Sequence, residues 1–137
     1  MTYSKRFSSK FFPRLLQPGH PANPIRDRAT SFSLIFELLD KKVEKDFLIV
    51  ETGCMRRDHG NLAFGDDGAS TYIFDDFVNY YDGEVLSVDI CKENVEYAND
   101  LTSYKTTVHC QDSVDFLWNL PKKQIDFLYL DSYDIIR

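Results

Sequence analysis

Cysteine is scarce in this sequence, histidine equally so, and glycine only a little commoner: three, three and six in 137 residues. Cys54, Cys91 and Cys110 make no Cys-x-x-Cys pair and no metal-finger spacing, and an odd, widely spaced set argues against a disulfide framework. His20, His59 and His109 leave little for triad chemistry, since His109 sits inside a strand-like run. The glycines never form Gly-x-Gly-x-x-Gly, the arrangement that seats a pyrophosphate on a helix N-terminus. No apolar run approaches the roughly 18 residues that span a bilayer. Met1 to Leu16 contains Phe7, Phe11 and Phe12, but charges and proline interrupt it, so it lacks the continuous apolar stretch of a secretion signal. A reducing, cytoplasmic location is expected.

What is present is ordinary for a globular chain: 43% hydrophobic and 28% charged residues, enough for one domain with a real core. The charge is uneven. Residues 1–30 hold six basic groups and one acid, so a whole-chain charge of −6 leaves −11 on the rest. The acidic body disfavours a broad nucleic-acid footprint. Pro13, Pro18, Gly19, Pro21 and Pro24 predict an irregular basic arm over 1–26, solvated or lying against the body's own acids. The domain proper is expected over 27–137.

Regular structure should begin near Asp27 or Thr30. Phe32, Ile35, Phe36, Leu39 and Val43 recur at helical spacing. Phe47-Leu48-Ile49-Val50 is apolar throughout, as suits a strand buried on both faces. Similar runs return at Val85–Val88, Thr106–Val108 and Ile125–Leu130. Helical patterns separate them: Ser70 to Tyr81 on Ile73, Phe77 and Tyr80; Lys92 to Leu101 on Val95, Ala98 and Leu101; Asp112 to Leu120 on Val114, Leu117 and Trp118. The alternation predicts an α/β fold, a three-layer α/β/α sandwich around a parallel sheet.

In such sheets ligands bind beyond the carboxyl ends of the strands. Here each of those ends carries an acid: Glu51-Thr52-Gly53, Asp89-Ile90, Gln111-Asp112-Ser113 and Asp131-Ser132-Tyr133-Asp134. One acid at a strand end is commonly a turn former or helix cap, and Asp112 is well placed to cap the helix after it. Four at one rim suit a cationic ligand with hydroxyl and amine donors, and suit a polyphosphate badly.

The segments Val50-Glu51-Thr52-Gly53, Leu86-Ser87-Val88-Asp89, Gln111-Asp112-Ser113 and Leu128-Tyr129-Leu130-Asp131 resemble, in order and spacing, the first four motifs of class I S-adenosylmethionine-dependent methyltransferases. The likeness covers about residues 30–134 and is nearest the divergent class I-like group with an acid-x-Gly first motif and a Gly-x-Ser-Thr helix entry. It implies a Rossmann-like sheet ordered 3-2-1-4 and S-adenosyl-L-methionine as cofactor. It also implies a cofactor-binding set of Glu51, Thr52, Gly53, Ser70, Asp89, Ile90, Asp112 and Ser113. Gly53 would let backbone approach the methionine part, and Glu51 would orient that loop near the ligand's ammonium. Asp89 would accept from the ribose hydroxyls, Asp112 from the adenine amino group, and the Ser113 N–H would face a ring nitrogen. Asp131 would lie by the transferring methyl, as the catalytic candidate. The methyl acceptor is not indicated.

The sequence departs from the pattern twice. After Gly53 come Cys54-Met55-Arg56-Arg57 and a long loop to Ala69, with Arg56, Arg57 and His59 available to close over a ligand and Ser70 or Thr71 available as helix cap. The family also carries further strands beyond the fourth, so the chain is expected to be a C-terminally incomplete copy with an exposed strand edge prone to self-association. Three other readings stand beside this one: a nicotinamide-dependent oxidoreductase fragment, a metal hydrolase on Asp131, Asp134 and His59, and a non-catalytic nucleoside-binding or interaction module.

Overall fold

Phe47-Leu48-Ile49-Val50 offers no polar side to water, and in the computed structural model it lies inside a parallel sheet. The structure describes residues 1–15, 24–55, 57, 58, 61, 62 and 69–131. Its elements are α1 (Tyr3–Lys10), α2 (Phe12–Leu15), α3 (Pro24–Asp40), β1 (Phe47–Thr52), β2 (Arg57–Asp58) and β3 (Asn61–Leu62). There follow α4 (Ser70–Tyr80), β4 (Gly83–Asp89), α5 (Lys92–Leu101), β5 (Thr106–Cys110), α6 (Ser113–Trp118) and β6 (Phe127–Leu130). The main sheet runs β5-β4-β1-β6, all parallel, which is the expected 3-2-1-4 order and a Rossmann-like α/β fold. β2 and β3 form a separate antiparallel ribbon within the long loop.

All six residues of β1 are buried, and they alternate between two cores. Phe47 and Ile49 join the large cluster under α1, α3, α4 and α5. Leu48 and Val50 face the other way, onto Val88 and Phe116 of α6. Gly83 starts β4 so close to β1 that a Cβ there would fall 2.0 Å from the Phe47 carbonyl oxygen, at a φ of +126 that L side chains rarely adopt. α3 starts at Pro24, where proline is tolerated in a first turn, and ends at Asp40 rather than running on to Val43, which is exposed. Lys45 closes that end by donating from Nζ to the Asp40 and Lys42 carbonyls. α6 is shorter than its apolar pattern implied: it buries Phe116, while Trp118 is 87% exposed.

The arm expected to be irregular over 1–26 is helical where described. Tyr3, Phe7, Phe11 and Leu15 recur every four residues as one stripe, and each is fully or almost fully buried. Pro13 is absorbed in the short α2, where an N–H is not yet needed. Tyr3 meets Phe36 at 4.8 Å and Phe77 at 5.0 Å, edge to face, and Phe7 meets Phe36 at 5.1 Å. Asp40, from the far end of α3, accepts from the Tyr3 and Ser4 N–H groups at 3.0 and 3.1 Å and so satisfies the first turn of α1. Arg6 grips Asp76 of α4 at 2.8 and 2.7 Å, and the Tyr3 hydroxyl donates to the same carboxylate at 2.9 Å. Burial pushes the Asp76 carboxyl up, but the bonds from Arg6 and Tyr3 with the charges of Arg6 and Lys10 outweigh it and hold it below its ordinary range. Of the arm's basic residues, Arg6 and Lys10 lie against an acid of the body, Asp76.

β6 pairs with β1 on one side only among the described residues. Leu128 and Leu130 point to the thinly covered α6 face and are 42% and 64% exposed. An open edge beside exposed leucines predicts concentration-dependent self-association. Light scattering across a concentration series reads it directly, and a clean monomer at high concentration counts against it.

Candidate functional site at the carboxyl rim of the sheet

The strands end in register, so the residues after them share one rim. Thr52 pairs with Val88 and with Leu130, and Asp89 pairs with Cys110. The ladder continues one step further: Gly53 N–H donates to Val88 O at 2.7 Å, Gln111 N–H to Asp89 O at 3.1 Å, and Asp131 N–H to Thr52 O at 2.8 Å. Gly53, Asp89, Gln111 and Asp131 therefore stand side by side at that rim. Gly53 has φ +83, which turns the chain sharply off β1 and favours glycine there.

Asp89 is the best-prepared group of the rim. Its Oδ2 accepts from the Cys54 N–H at 3.2 Å and its Oδ1 from the Cys91 N–H at 2.8 Å. One backbone bond on each oxygen fixes the carboxylate's orientation, and a carboxylate has about four acceptor positions, so each oxygen keeps capacity for a ligand hydroxyl. Ile90 follows with its side chain 76% exposed, an apolar surface beside a polar anchor.

Glu51 is placed differently from a ligand-facing acid. It is fully buried and accepts from Thr71 Oγ1 at 2.6 Å, Ser87 Oγ at 2.7 Å and Ser70 Oγ at 2.5 Å. Alternation along β1 puts it on the α4 side, under the first turn of that helix. Thr71 passes the constraint on, because its Oγ1 accepts from the Met55 N–H at 2.8 Å. Glu51 thus orients the loop after Gly53 through Thr71. Neither Ser70 nor Thr71 caps α4: the N-cap is Ala69, with no side-chain cap bond and a left-handed φ of 48. A non-glycine residue in that region is strained, and the Glu51 hydroxyl network pins the turn around it.

Thr52 lies on the opposite face of β1 from Glu51. Its hydroxyl is buried and has no hydrogen-bond partner among the described residues. A buried hydroxyl left unpaired costs about 1–3 kcal/mol.

Asp112 is the N-cap of α6, with Oδ2 accepting from the Val114 and Asp115 N–H groups at 3.1 Å each. Ser113 is the first residue of that helix. Both lie within three residues of Cys110 and so beside Asp89. Arg56, His59, Gly60, Gly65, Gly68, Ser132, Tyr133 and Asp134 fall outside the described residues, as do the side chains of Arg57 and Asp58. The β2 backbone runs alongside α5, so part of the loop does fold back over the body. That Thr71 and Ser87 would hold Glu51 was missed in the sequence. Ser87 carried a signal, since a hydroxyl inside a strand buried on both faces must find a partner.

At the other end of the sheet an open hollow of about 420 Å³ is lined by Asp46, Asp82, Glu84 and Asp126 with Lys123. Three of those acids are paired, with Lys105 at 3.0 Å, Lys123 at 3.3 Å and Lys42 at 2.7 Å. That end is largely neutralised by its own lysines. Comparison with protein families, with characterised proteins and with solved structures returned no match.

Proposed function

We propose that the carboxyl rim binds S-adenosyl-L-methionine and that the domain transfers its methyl group to an acceptor. The observation that carries this reading is Asp89: a carboxylate preset by two backbone N–H groups, with acceptor capacity left on each oxygen, next to the Gly53 turn and the exposed Ile90. A vicinal diol is the ligand group that such a carboxylate matches, one hydroxyl to each oxygen. The Thr52 hydroxyl, buried without a partner among the described residues, supplies a further reason for a polar ligand at this mouth. A pyrophosphate ligand fits poorly, because the rim is lined with carboxylates and the turn holds a single glycine.

When bound, the sulfonium supplies an electrophilic methyl group, so the protein's task is alignment. Asp89 holds the ribose and Ile90 packs against the base. Asp112 and Ser113 stand where the adenine edge would reach. Glu51, acting through Thr71, holds the Gly53–Met55 turn against the methionine part. Asp131, adjacent to Thr52 across the β1–β6 ladder, stands nearest the acceptor side and is the candidate to orient the acceptor or take its proton.

Calorimetric titration with S-adenosylhomocysteine, with NAD as comparison, tests the reading. Low-micromolar binding of the first alone is the expected outcome. Equal affinity for NAD, or no binding of either by the folded protein, would sink it. Methyl transfer is then assayed separately, since nucleoside binding without turnover over a panel of acceptors would point to a binding module.

A further inference from the structure

The three cysteines lie 37 and 19 residues apart in sequence, yet all meet at Asp89. The Cys54 and Cys91 N–H groups hold its two oxygens, and Cys110 is its partner across the β4–β5 ladder. Cys54 is buried, whereas Cys91 and Cys110 are both exposed. Alternation along β5 puts Cys110 on the same face as Val108, which packs in the core under α5, and Cys91 is the N-cap of α5 on that face.

Cys110 Sγ lies 3.6 Å from the Ile90 carbonyl oxygen, which belongs to the peptide unit leading into Cys91. Standard bond lengths put the next Cα about 2.8 Å from that oxygen, so Cys91 Cα is within about 6.4 Å of the Cys110 sulfur. In a disulfide the Cα of one cysteine lies about 3.4–4.5 Å from the sulfur of the other, so a bridge requires the exposed turn at Cys91 to close by up to about 2–3 Å as well as both thiols to rotate.

We propose that Cys91 and Cys110 are a modification site: a thiol pair that a hydroperoxide oxidises to a disulfide, closing the rim beside Asp89. One thiolate attacks the peroxide oxygen, the O–O bond breaks, and a sulfenic acid and water form. The second thiolate attacks that sulfur, the S–S bond forms, and the second oxygen leaves as water. Two thiols lose two protons and two electrons, and hydrogen peroxide becomes two waters. The bridge itself rests on the placement of two exposed thiols on one face of the sheet. Its consequence, that a ligand diol can no longer reach Asp89, rests on the nucleoside reading above.

The test is hydrogen peroxide titration of the reduced protein, followed by alkylation and mass spectrometry. The expected result is a monomer lighter by about 2 Da, with the Cys91 and Cys110 peptides joined and dithiothreitol restoring both thiols. Cys91→Ser and Cys110→Ser should each abolish the change. Stable oxygen addition at one cysteine, or dimers linked through either, would overturn the proposal. S-adenosylhomocysteine titration of reduced, oxidised and re-reduced samples then reads the consequence: oxidised protein should bind at least about tenfold more weakly, recovering on reduction. Unchanged affinity in the bridged protein overturns the gating of the rim. Absence of binding in the reduced protein overturns the nucleoside reading instead, while the mass result still decides the bridge.

Discussion

Asp89→Ala is expected to weaken S-adenosylhomocysteine binding by about 100-fold or more, enough to take a micromolar titration out of range. A hydrogen bond to a charged acceptor contributes about 1.5–3 kcal/mol, and Asp89 is placed to make two to a ribose, so about 3 kcal/mol is a lower figure. A second loss adds to the first. Without the carboxylate, the Cys54 and Cys91 N–H groups lose their acceptor, and the turn after Gly53 and the entry to α5 are no longer held. Asp89→Asn separates the two effects. It keeps one oxygen acceptor and the shape, replaces the other acceptor with a donor, and should fall between wild type and alanine. If the alanine variant, folded by circular dichroism, binds as wild type does, Asp89 is only a turn residue.

The strands themselves were legible because a parallel sheet's inner strands write their burial into consecutive apolar residues, as β1 does plainly, whereas their 3-2-1-4 order came only from the family resemblance. Glu51, Asp89 and Asp131 were legible for the same reason, since each stands at the end of an apolar run, while Asp112 was legible as a cap before the next helical pattern. The direction of Glu51 was not. When a strand is buried on both faces, its pattern does not say which face meets which helix; the bonds from Ser70 and Thr71 put Glu51, and with it Ser87 across β1 and β4, under α4. The left-handed Ala69 was equally hidden, because nothing in Gly68-Ala69-Ser70-Thr71 marks the alanine as the strained residue. The cysteines converge through strand register, a relation between distant segments that no local spacing records.

The N-terminal segment misled because two signals competed. Prolines and basic residues marked it as a solvated arm, while Tyr3, Phe7, Phe11 and Leu15 formed a helical stripe too short to outweigh them. Five described helices lie on the α4 side of the sheet and one on the other. The packing of the core is therefore lopsided, and α1 supplies much of its aromatic filling. Phe11 meets Tyr72 in the first turn of α4 at 6.1 Å, so this segment also braces the helix whose hydroxyls hold Glu51.

That placement makes Phe7→Ala a severe substitution. Phe7 is fully buried and packs against Phe11, Phe12, Phe32 and Phe36, with centroids 5.1 to 6.3 Å away. Truncating a buried phenylalanine removes its transfer free energy and leaves a cavity, together about 3–5 kcal/mol. For a domain of this size that lowers the melting temperature by roughly 10–20 °C. Lys5→Ala, on the exposed side of the same helix, should change it by no more than a degree or two, since surface substitutions fall within about 0.5 kcal/mol. The contrast discriminates between the two descriptions of residues 1–15. A solvated arm would show two equally small shifts by differential scanning fluorimetry, whereas a packed helix shows a large one at Phe7 and almost none at Lys5. Equal, small shifts would mean that α1 does not hold its place in solution, and the bracing of α4 through Phe11 would fall with it.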